Sequence, residues 1–261
     1  MPRYHLPRRC ALAIVRDAVL GRHRSFLADA RVLVKGNPSL RVLGPVPDLR
    51  RPSPGSGWLI TVNHYSAPGF RAWWLPISLT AVLGCEVRWV ITSALTFKDF
   101  FLSRSYTPLS EWFLPRLART YDFFPMPPMP PRSGEVEARA HAARAVLRYV
   151  RTADAPVVGL APEGGDSPDQ RLSLPPSGAG RFLAQLAASG LIFLPVGAYE
   201  TEGSFCLNFG APYNLPASLP ADPDARDAHV ARVVFRAIAD LLPARLVPPG
   251  LVDLSGRVDA G

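Results

Sequence analysis

The stretch WLITVNH, residues 58–64, runs from a short apolar segment directly into an asparagine and a histidine. An apolar run of this length between turn signals predicts a buried strand. The turn signals are the loop RRPSPGSG at 50–57 and the segment YSAPGF at 65–70. Polar residues that follow a strand of an α/β protein lie where such proteins carry their functional groups. Asn63 and His64 are therefore the first candidate site residues.

Strand and helix patterns alternate along the rest of the chain. Further apolar runs predict strands at VRWVIT (87–92), VVGLA (157–161), IFLPVGA (192–198) and FCLNFG (205–210). Helical spacing predicts helices at 10–35, 71–84, 94–120, 134–153, 178–189 and 226–241, the third broken by Pro108 and Pro115. The run FPMPPMPPR (124–132) predicts a stiff polyproline loop. This alternation predicts an α/β fold with a central, mostly parallel sheet flanked by helices.

The excess positive charge lies in the N-terminal segment. Residues 1–51 contain 11 Lys and Arg against 3 Asp and Glu, whereas the other 210 residues contain 18 of each class. The arginines of this segment are interleaved with leucine, valine and alanine, which is typical of an amphipathic helix on a membrane. Because the segment has only two aromatic residues on which bases could stack, we expect no nucleic-acid partner. We expect a basic amphipathic segment at 1–50 that binds an anionic membrane surface, and an α/β domain at 51–261. An ordinary surface helix with an arginine-rich outer face is the alternative.

Membrane spans and disulfides are not expected. The longest uncharged run, FLAQLAASGLIFLPVGAY at 182–199, is interrupted by two glycines and a proline, so a helix, a turn and a strand describe it better than a span. Cys10, Cys85 and Cys206 are far apart and show no CxxC spacing, which predicts reduced, unbridged thiols. We expect a cytoplasmic protein that is peripheral on the inner face of the membrane.

A second polar segment, LAPEGGDSP at 160–168, follows the strand predicted at 157–161. Glu163 precedes Gly164 and Gly165, and two glycines allow backbone N–H groups to approach a ligand closely. Alone, this segment is also compatible with a plain turn. Because both polar segments follow predicted strands, both qualify as site loops.

These motifs, in their order and spacing over roughly residues 55–215, resemble those of the PlsC-like glycerophospholipid acyltransferases, which include lysophosphatidic acid acyltransferases. The matching positions are Asn63-His64, Pro162-Glu163-Gly164, Gly178-Ala179 with Arg181, Leu194-Pro195-Val196 and Phe209-Gly210-Ala211-Pro212-Tyr213. Two positions depart from the family pattern: Gly69 stands where the motif aspartate is expected, and Asp166 stands where the motif arginine is expected. The resemblance implies the PlsC-like acyltransferase fold and the transfer of a fatty acyl group.

The resemblance also implies that His64 is the general base. Acyl transfer from a thioester to an alcohol removes the proton of the alcohol, and an imidazole with a pKa of about 6.5 suits that step. A carboxylate bound to the other ring nitrogen fixes the tautomer. Because Gly69 has no carboxylate, we hypothesise that Asp166, or failing that Glu163, orients His64 from across the site. The alternative for Asp166 is a solvated turn residue or an N-cap.

The other candidate residues would bind substrate. Asn63 and the turn Glu163-Gly164-Gly165 are expected to position the acceptor, and Arg71 and Arg181 are candidates for binding phosphates of coenzyme A, of an acyl carrier protein's prosthetic arm or of the acceptor. Plain surface arginines are an equal alternative. Four aromatic residues either line an acyl-chain tunnel or belong to the core: Phe70, Trp73, Trp74 and Trp89. No metal-ligand spacing is found, so we expect no metal, and no cofactor beyond acyl-CoA or acyl-ACP as co-substrate.

We therefore expect an acyltransferase that moves a fatty acyl group from acyl-CoA or acyl-ACP to a hydroxyl of a lysolipid or related lipid-like acceptor. Since Asp166 replaces the arginine and would repel a phosphate, the acceptor need not be lysophosphatidic acid. Gly69 favours an alternative, a catalytically impaired relative that binds lipid or acyl-CoA without turnover. A hydrolase that passes the acyl group to water is the third possibility.

Overall fold

The computed structural model describes residues 4–35, 40–49, 56–95, 100–128, 134–165, 167 and 169–249, with the side chains of 100–106 excepted. In these ranges seven α-helices flank a seven-stranded mixed sheet. The helices are α1 Arg8–Val19, α2 Phe26–Lys35, α3 Trp74–Leu83, α4 Phe100–Thr120, α5 Glu135–Thr152, α6 Ala179–Ala188 and α7 Pro223–Ala239. The strands are β1 Leu40–Leu43, β2 Gly57–Val62, β3 Arg88–Thr92, β4 Phe124–Met126, β5 Val157–Leu160, β6 Leu191–Thr201 and β7 Ser204–Phe209.

The sheet is mostly parallel, which confirms the predicted α/β class. The strand order is β1-β7-β6-β2-β5-β3-β4, and β6–β7 is the one antiparallel pair of the described sheet. β6 and β7 form a hairpin whose two loop residues, Glu202 and Gly203, both have positive φ, at 48° and 74°. Such φ values belong to a tight turn whose twist matches that of the strands. β2 and β5 lie side by side in the middle of the sheet, so both are covered on both faces.

Alternate residues of β2 contribute to two cores. Trp58, Ile60 and Val62 belong to the hydrophobic cluster that includes residues of α2 and α3, whereas Leu59 belongs to the cluster that includes residues of α5, α6 and α7. This period of two is what a strand buried on both faces requires. The loops that leave the carboxyl ends of β2 and β5 are thereby held next to each other.

The predicted helix over 10–35 is two helices, so its continuity was wrong. α1 ends at Val19, and Gly21 follows with φ at 67°, in the left-handed region. The side chain of Arg24 bonds Asp17 at 2.5 Å and Asp29 at 2.6 Å, and thus ties the two helices together across the break. Buried side chains of α2 lie in the main core, and β1 pairs with β7. The N-terminal segment therefore packs with the α/β core in the described residues.

Two predictions based on proline were also wrong. α4 continues through Pro108 and Pro115, although a proline lacks the N–H that closes a helical hydrogen bond, and α4 packs against α1. The run predicted as a polyproline loop begins with β4, in which Pro125 pairs with Ile91 of β3. As an edge strand, β4 tolerates a proline. Residues 129–133 of that run lie outside the described residues.

The run 182–199 folds as expected into the end of α6, a turn at Gly190 and β6. Within the described ranges, no helix combines the length and the hydropathy needed to cross a bilayer. Cys10, Cys85 and Cys206 are free thiols, and the last of these is buried. The prediction of unbridged cysteines is therefore confirmed.

Candidate active site

The two predicted site loops meet at the carboxyl ends of β2 and β5. The backbone N–H of His64, just after β2, donates a hydrogen bond to Oε1 of Glu163, just after β5, at 2.5 Å. This contact follows from the topology, because neighbouring parallel strands end at the same edge of a sheet.

His64 lies at the apex of a three-residue turn. The N–H of Tyr65 donates to the carbonyl of Asn63 at 2.9 Å, which closes the turn around His64. The side chain of His64 is half-buried, and its Nδ1 atom is buried. The turn therefore interrupts the strand direction at the residue that carries the imidazole.

Asn63 is buried and extends the ladder between β2 and β6. Its Nδ2 atom donates to the carbonyl of Ala198 at 2.9 Å, and its Oδ1 atom accepts from the N–H of Ala198 at 2.7 Å. The side-chain amide thus replaces the main-chain partners that β2 no longer supplies beyond Val62. Asn63, which is predicted to bind substrate, uses both polar atoms of its side chain to bind Ala198 and so positions the turn on which His64 lies.

The carboxylate of Glu163 accepts hydrogen bonds from the loop that contains His64 and from its own loop after β5. Besides His64, it contacts Ser173, whose N–H donates to Oε2 at 2.8 Å and whose hydroxyl lies 3.2 Å from Oε2. The side chain is only 7% exposed, and burial raises the pKa of Glu163, an effect that the hydrogen bonds from Ser173 and His64 oppose. In these contacts Glu163 binds the main chain of His64 and thereby positions the turn.

The glycine turn after Glu163 is tight and open to solvent. The N–H of Gly164 donates to the carbonyl of Ala161 at 3.2 Å, and φ of Gly164 is 76°. Gly165 is half-buried, and a Cβ atom added there would meet nothing within 4 Å. A side chain would therefore have space at Gly165. Asp166, the predicted orienting carboxylate, lies outside the described residues.

Gly69, the position of the missing motif aspartate, has φ at 82° and is exposed. A Cβ atom built there would meet nothing within 4 Å. A side chain therefore has space at this position, although its backbone conformation is one that glycine favours.

Comparisons with known proteins do not assign the chain to a family. It matches no protein-family model and no curated protein.

Both candidate arginines lie at the same edge of the sheet as His64. Arg71 is exposed shortly before α3, and Arg181 is exposed in the first turn of α6; both helices begin after loops that leave this edge. The N-terminus of α6 is held by Asp227 of α7, whose carboxylate accepts from the N–H groups of Gly178 and Arg181, each at 2.7 Å. Asp227 therefore fixes the main chain of Arg181 and leaves the guanidinium on the surface.

An aromatic cluster underlies the His64 turn and was not expected from the sequence. The ring of Tyr4 stacks on Trp74 at 5.3 Å and meets the edge of Phe70 at 5.5 Å. The hydroxyl of Tyr4 donates to Oε1 of Glu200 at 2.6 Å, and the hydroxyl of Tyr65 lies 3.5 Å from Oε2 of the same residue. Only contacts between distant segments reveal this cluster, since no local motif in the sequence marks it.

These packing contacts decide the role of most of the aromatic candidates. Phe70, Trp74 and Trp89 are buried members of the core, whereas Trp73 is exposed. Core packing therefore accounts for the first three. In the described part of the chain, no group of three or more His, Cys, Asp and Glu side chains is arranged to hold a metal ion.

Two cavities lie at the opposite end of the sheet. One of about 610 Å³ is bordered by Gly57, Pro156 and Gly190, at the amino ends of β2, β5 and β6. The other, of about 570 Å³, is bordered by Arg88 and Phe124, at the amino ends of β3 and β4. Neither contains His64.

Proposed function

We propose that the protein is a membrane-surface acyltransferase that moves a fatty acyl group from acyl-CoA or acyl-ACP to a hydroxyl of a lysolipid or related lipid-like acceptor. The observation that carries the proposal is the hydrogen bond from the N–H of His64 to Glu163, which joins the two loops whose motifs resemble the PlsC-like acyltransferases. Another matching motif, Leu194-Pro195-Val196, lies on β6 directly beside β2. Three of the matching motifs thus lie on, or shortly after, three adjacent strands.

His64 would remove the proton from the acceptor hydroxyl as its oxygen attacks the thioester carbonyl carbon. Because Nδ1 is buried, we assign the proton transfer to Nε2. The C–S bond of the resulting tetrahedral intermediate then breaks, and the imidazolium returns the proton to the departing thiolate. The products are an ester and a free thiol, so no proton is gained or lost overall.

Glu163 and Asn63 would act through position. Each uses its side chain to bind main-chain groups around the His64 turn, at distances of 2.5–2.9 Å. A base that is held by two such contacts loses little conformational freedom when substrate binds, which favours proton transfer in a defined geometry. The orienting carboxylate in this proposal is Asp166.

The N-terminal helix supports the membrane part of the proposal. Leu12, Val15 and Val19 of α1 are 68%, 45% and 48% exposed, so these apolar side chains are exposed to solvent together with Arg8 and Arg16. α4, which packs on α1, also exposes Trp112. Apolar side chains surrounded by arginines suit the headgroup region of an anionic bilayer. We accordingly propose a peripheral location on the inner face of the membrane.

Gly69 favours a second candidate function, a lipid-binding or acyl-CoA-binding relative without turnover. Its backbone φ of 82° and its exposure describe a turn built for glycine, with no carboxylate at the position where the resemblance implies one. In a well-studied serine protease triad, making the orienting aspartate non-ionised lowers kcat about 10⁴-fold. Without compensation from another carboxylate, turnover would be correspondingly slow.

A product survey tests the proposal. Purified protein is incubated with labelled acyl-CoA or acyl-ACP in the presence of lysolipids and glycerol-type alcohols, and the labelled lipids are separated by chromatography. Acylated product supports the transferase and identifies its acceptor class. Free fatty acid without acylated product indicates a hydrolase, and saturable binding of acyl-CoA without either product indicates the binding protein.

A further inference from the structure

The cavity of about 570 Å³ at the amino ends of β3 and β4 is lined by three arginines and a histidine. Arg88 comes from the start of β3, Arg116 and Arg119 from the last turns of α4, and His23 from the connection between α1 and α2. Asp122 is the single acidic residue of the described lining. Three arginines against one aspartate leave this cavity with an excess of positive charge.

Two of the arginines are held in place by aromatic rings. The guanidinium carbon of Arg88 lies 4.3 Å from the ring centre of Tyr149, and that of Arg116 lies 4.2 Å from the ring centre of Trp112. Arg116 also donates to the carbonyl of Trp112 at 2.6 Å. Stacking fixes the plane of a guanidinium while leaving N–H donors at its edge, so little side-chain entropy is lost when an anion binds.

Asp122 neutralises this cluster only in part. Its carboxylate lies 3.7 Å from Arg88 and 3.6 Å from His23, and it is about half exposed. Both distances exceed those of a good charge-assisted hydrogen bond. Arg119 is exposed, and in the described chain no ion pair joins it to an acidic residue. The arginines therefore retain donors for another anion.

Stabilisation of a helix end explains only some of the three arginines. Cations in the last turn of a helix interact favourably with its dipole, which accounts for Arg119 on α4. The dipole does not account for Arg116, one turn earlier, or for Arg88, which comes from a strand and borders the same cavity. Three arginines from two separate elements, Arg88 of β3 and Arg116 and Arg119 of α4, border one cavity, and guanidinium groups suit the bidentate recognition of a phosphate.

We propose that this cavity is a second anion site, which binds a phosphate group through Arg88, Arg116 and Arg119. It lies at the amino ends of the parallel strands, at the opposite end of the sheet from His64, so it is distinct from the candidate active site and does not depend on acyl transfer. The phosphate belongs either to a lipid headgroup or to a soluble phosphate compound. Val19 and Leu20 at its border are apolar and exposed, which favours a headgroup.

The test compares the full chain with R88Q/R116Q/R119Q and with R119Q alone, which removes an exposed side chain that makes no described contact. The control R144Q/R148Q/R232Q removes the same charge from exposed arginines of α5 and α7. One arm titrates inorganic phosphate by calorimetry. The other measures co-sedimentation with phosphatidylcholine vesicles that contain or lack phosphatidic acid. Thermal denaturation shows whether each variant is folded.

We expect the triple cavity variant to bind at least about ten-fold more weakly, R119Q to show a smaller loss in the same direction, and the control to bind nearly as the wild type does. Weaker binding by the triple cavity variant in both arms, or in the phosphate arm alone, identifies a site for phosphate itself. Weaker binding in the vesicle arm alone identifies a site for a lipid headgroup. Equal losses in cavity and control variants would show unspecific attraction and overturn the proposal. Absence of binding by the wild type in both arms would overturn it as well.

Discussion

The backbone N–H of His64 lies 2.5 Å from Oε1 of Glu163, so this carboxylate holds the main chain of the candidate base. Its second oxygen accepts from Ser173, in the loop that follows β5. One buried side chain therefore sets the distance between the two loops at the site. A carboxylate in this position controls where the imidazole is, and a different group is required to orient the ring.

Replacing Glu163 by glutamine should lower stability and turnover at neutral pH. If the amide oxygen of glutamine accepts from His64, its NH₂ group faces the N–H of Ser173, so two donors meet in a buried place. An unsatisfied buried donor costs about 1–3 kcal/mol. Urea denaturation measures the free energy of unfolding, with Glu137→Gln on the surface of α5 as the matched control.

The same variant gives a pH test with a definite sign. Burial raises the pKa of Glu163 in the folded state above its ordinary value of 4.5. Between pH 4.5 and this raised pKa, the folded protein therefore binds more protons than the unfolded one. The stability of the wild type should then rise, relative to that of Glu163→Gln, as the pH falls from the raised pKa towards 4.5. A difference that stays constant or shrinks on acidification would contradict the assignment.

Asn63→Ala should destabilise the fold. The change leaves the N–H and the carbonyl of the fully buried Ala198 without the partners that Asn63 supplies. We expect a loss of about 2–4 kcal/mol in the free energy of unfolding. Asn208→Ala is the control, because it removes a single hydrogen bond, from half-buried Asn208 to the carbonyl of Leu241, and should cost less. Equal losses in the two variants would refute the bridging role.

Asp166→Asn should lower kcat if this residue orients His64, with little effect on KM. Gly69→Asp has space for its side chain, and a residue other than glycine at a φ of 82° costs about 1–2 kcal/mol of stability. The double variant Gly69→Asp/Asp166→Asn should recover part of the lost rate, because it returns a carboxylate to the position that the resemblance implies. Unchanged turnover in Asp166→Asn would remove the relay from the proposed mechanism.

Replacing Leu12, Val15 and Val19 together by serine should weaken binding to anionic vesicles while leaving thermal stability nearly unchanged. These side chains are exposed, so their replacement costs little in the folded protein, whereas a bilayer would bury them. Val136→Ser, which alters a 73% exposed residue of α5, is the control. Vesicle co-sedimentation that is equal in all three proteins would exclude α1 as the membrane contact.

The central strands and the position of the site could be predicted because local patterns carry them. β2, β5 and β6 are apolar runs, and the carboxyl ends of parallel neighbours share an edge, so Asn63-His64 and Glu163 were expected near each other. The direction of each contact could not be predicted. Whether Glu163 meets the ring or the main chain of His64 depends on the turn that Tyr65 closes, and no sequence pattern specifies that turn.

Elements that depend on distant partners were not predictable. β4 forms despite Pro125, because β3 pairs with it along one side only. Tyr4 reaches Glu200 and Trp74, residues that are far away in the sequence, and α4, which contains two prolines, packs on α1. The arginine cavity combines residues of three segments for the same reason. In each case tertiary contacts outweigh local propensity.

The most direct measurement compares the formation of acylated lipid by the wild type, His64→Ala and His141→Ala, at saturating acyl donor and acceptor. His141 is an exposed histidine of α5 and serves as the matched control. We predict that His64→Ala loses at least about 100-fold in rate, as expected when a general base is removed, while His141→Ala retains wild-type turnover. An unchanged rate in His64→Ala, or no acylated product from the wild type with any donor and acceptor, would contradict the proposed function.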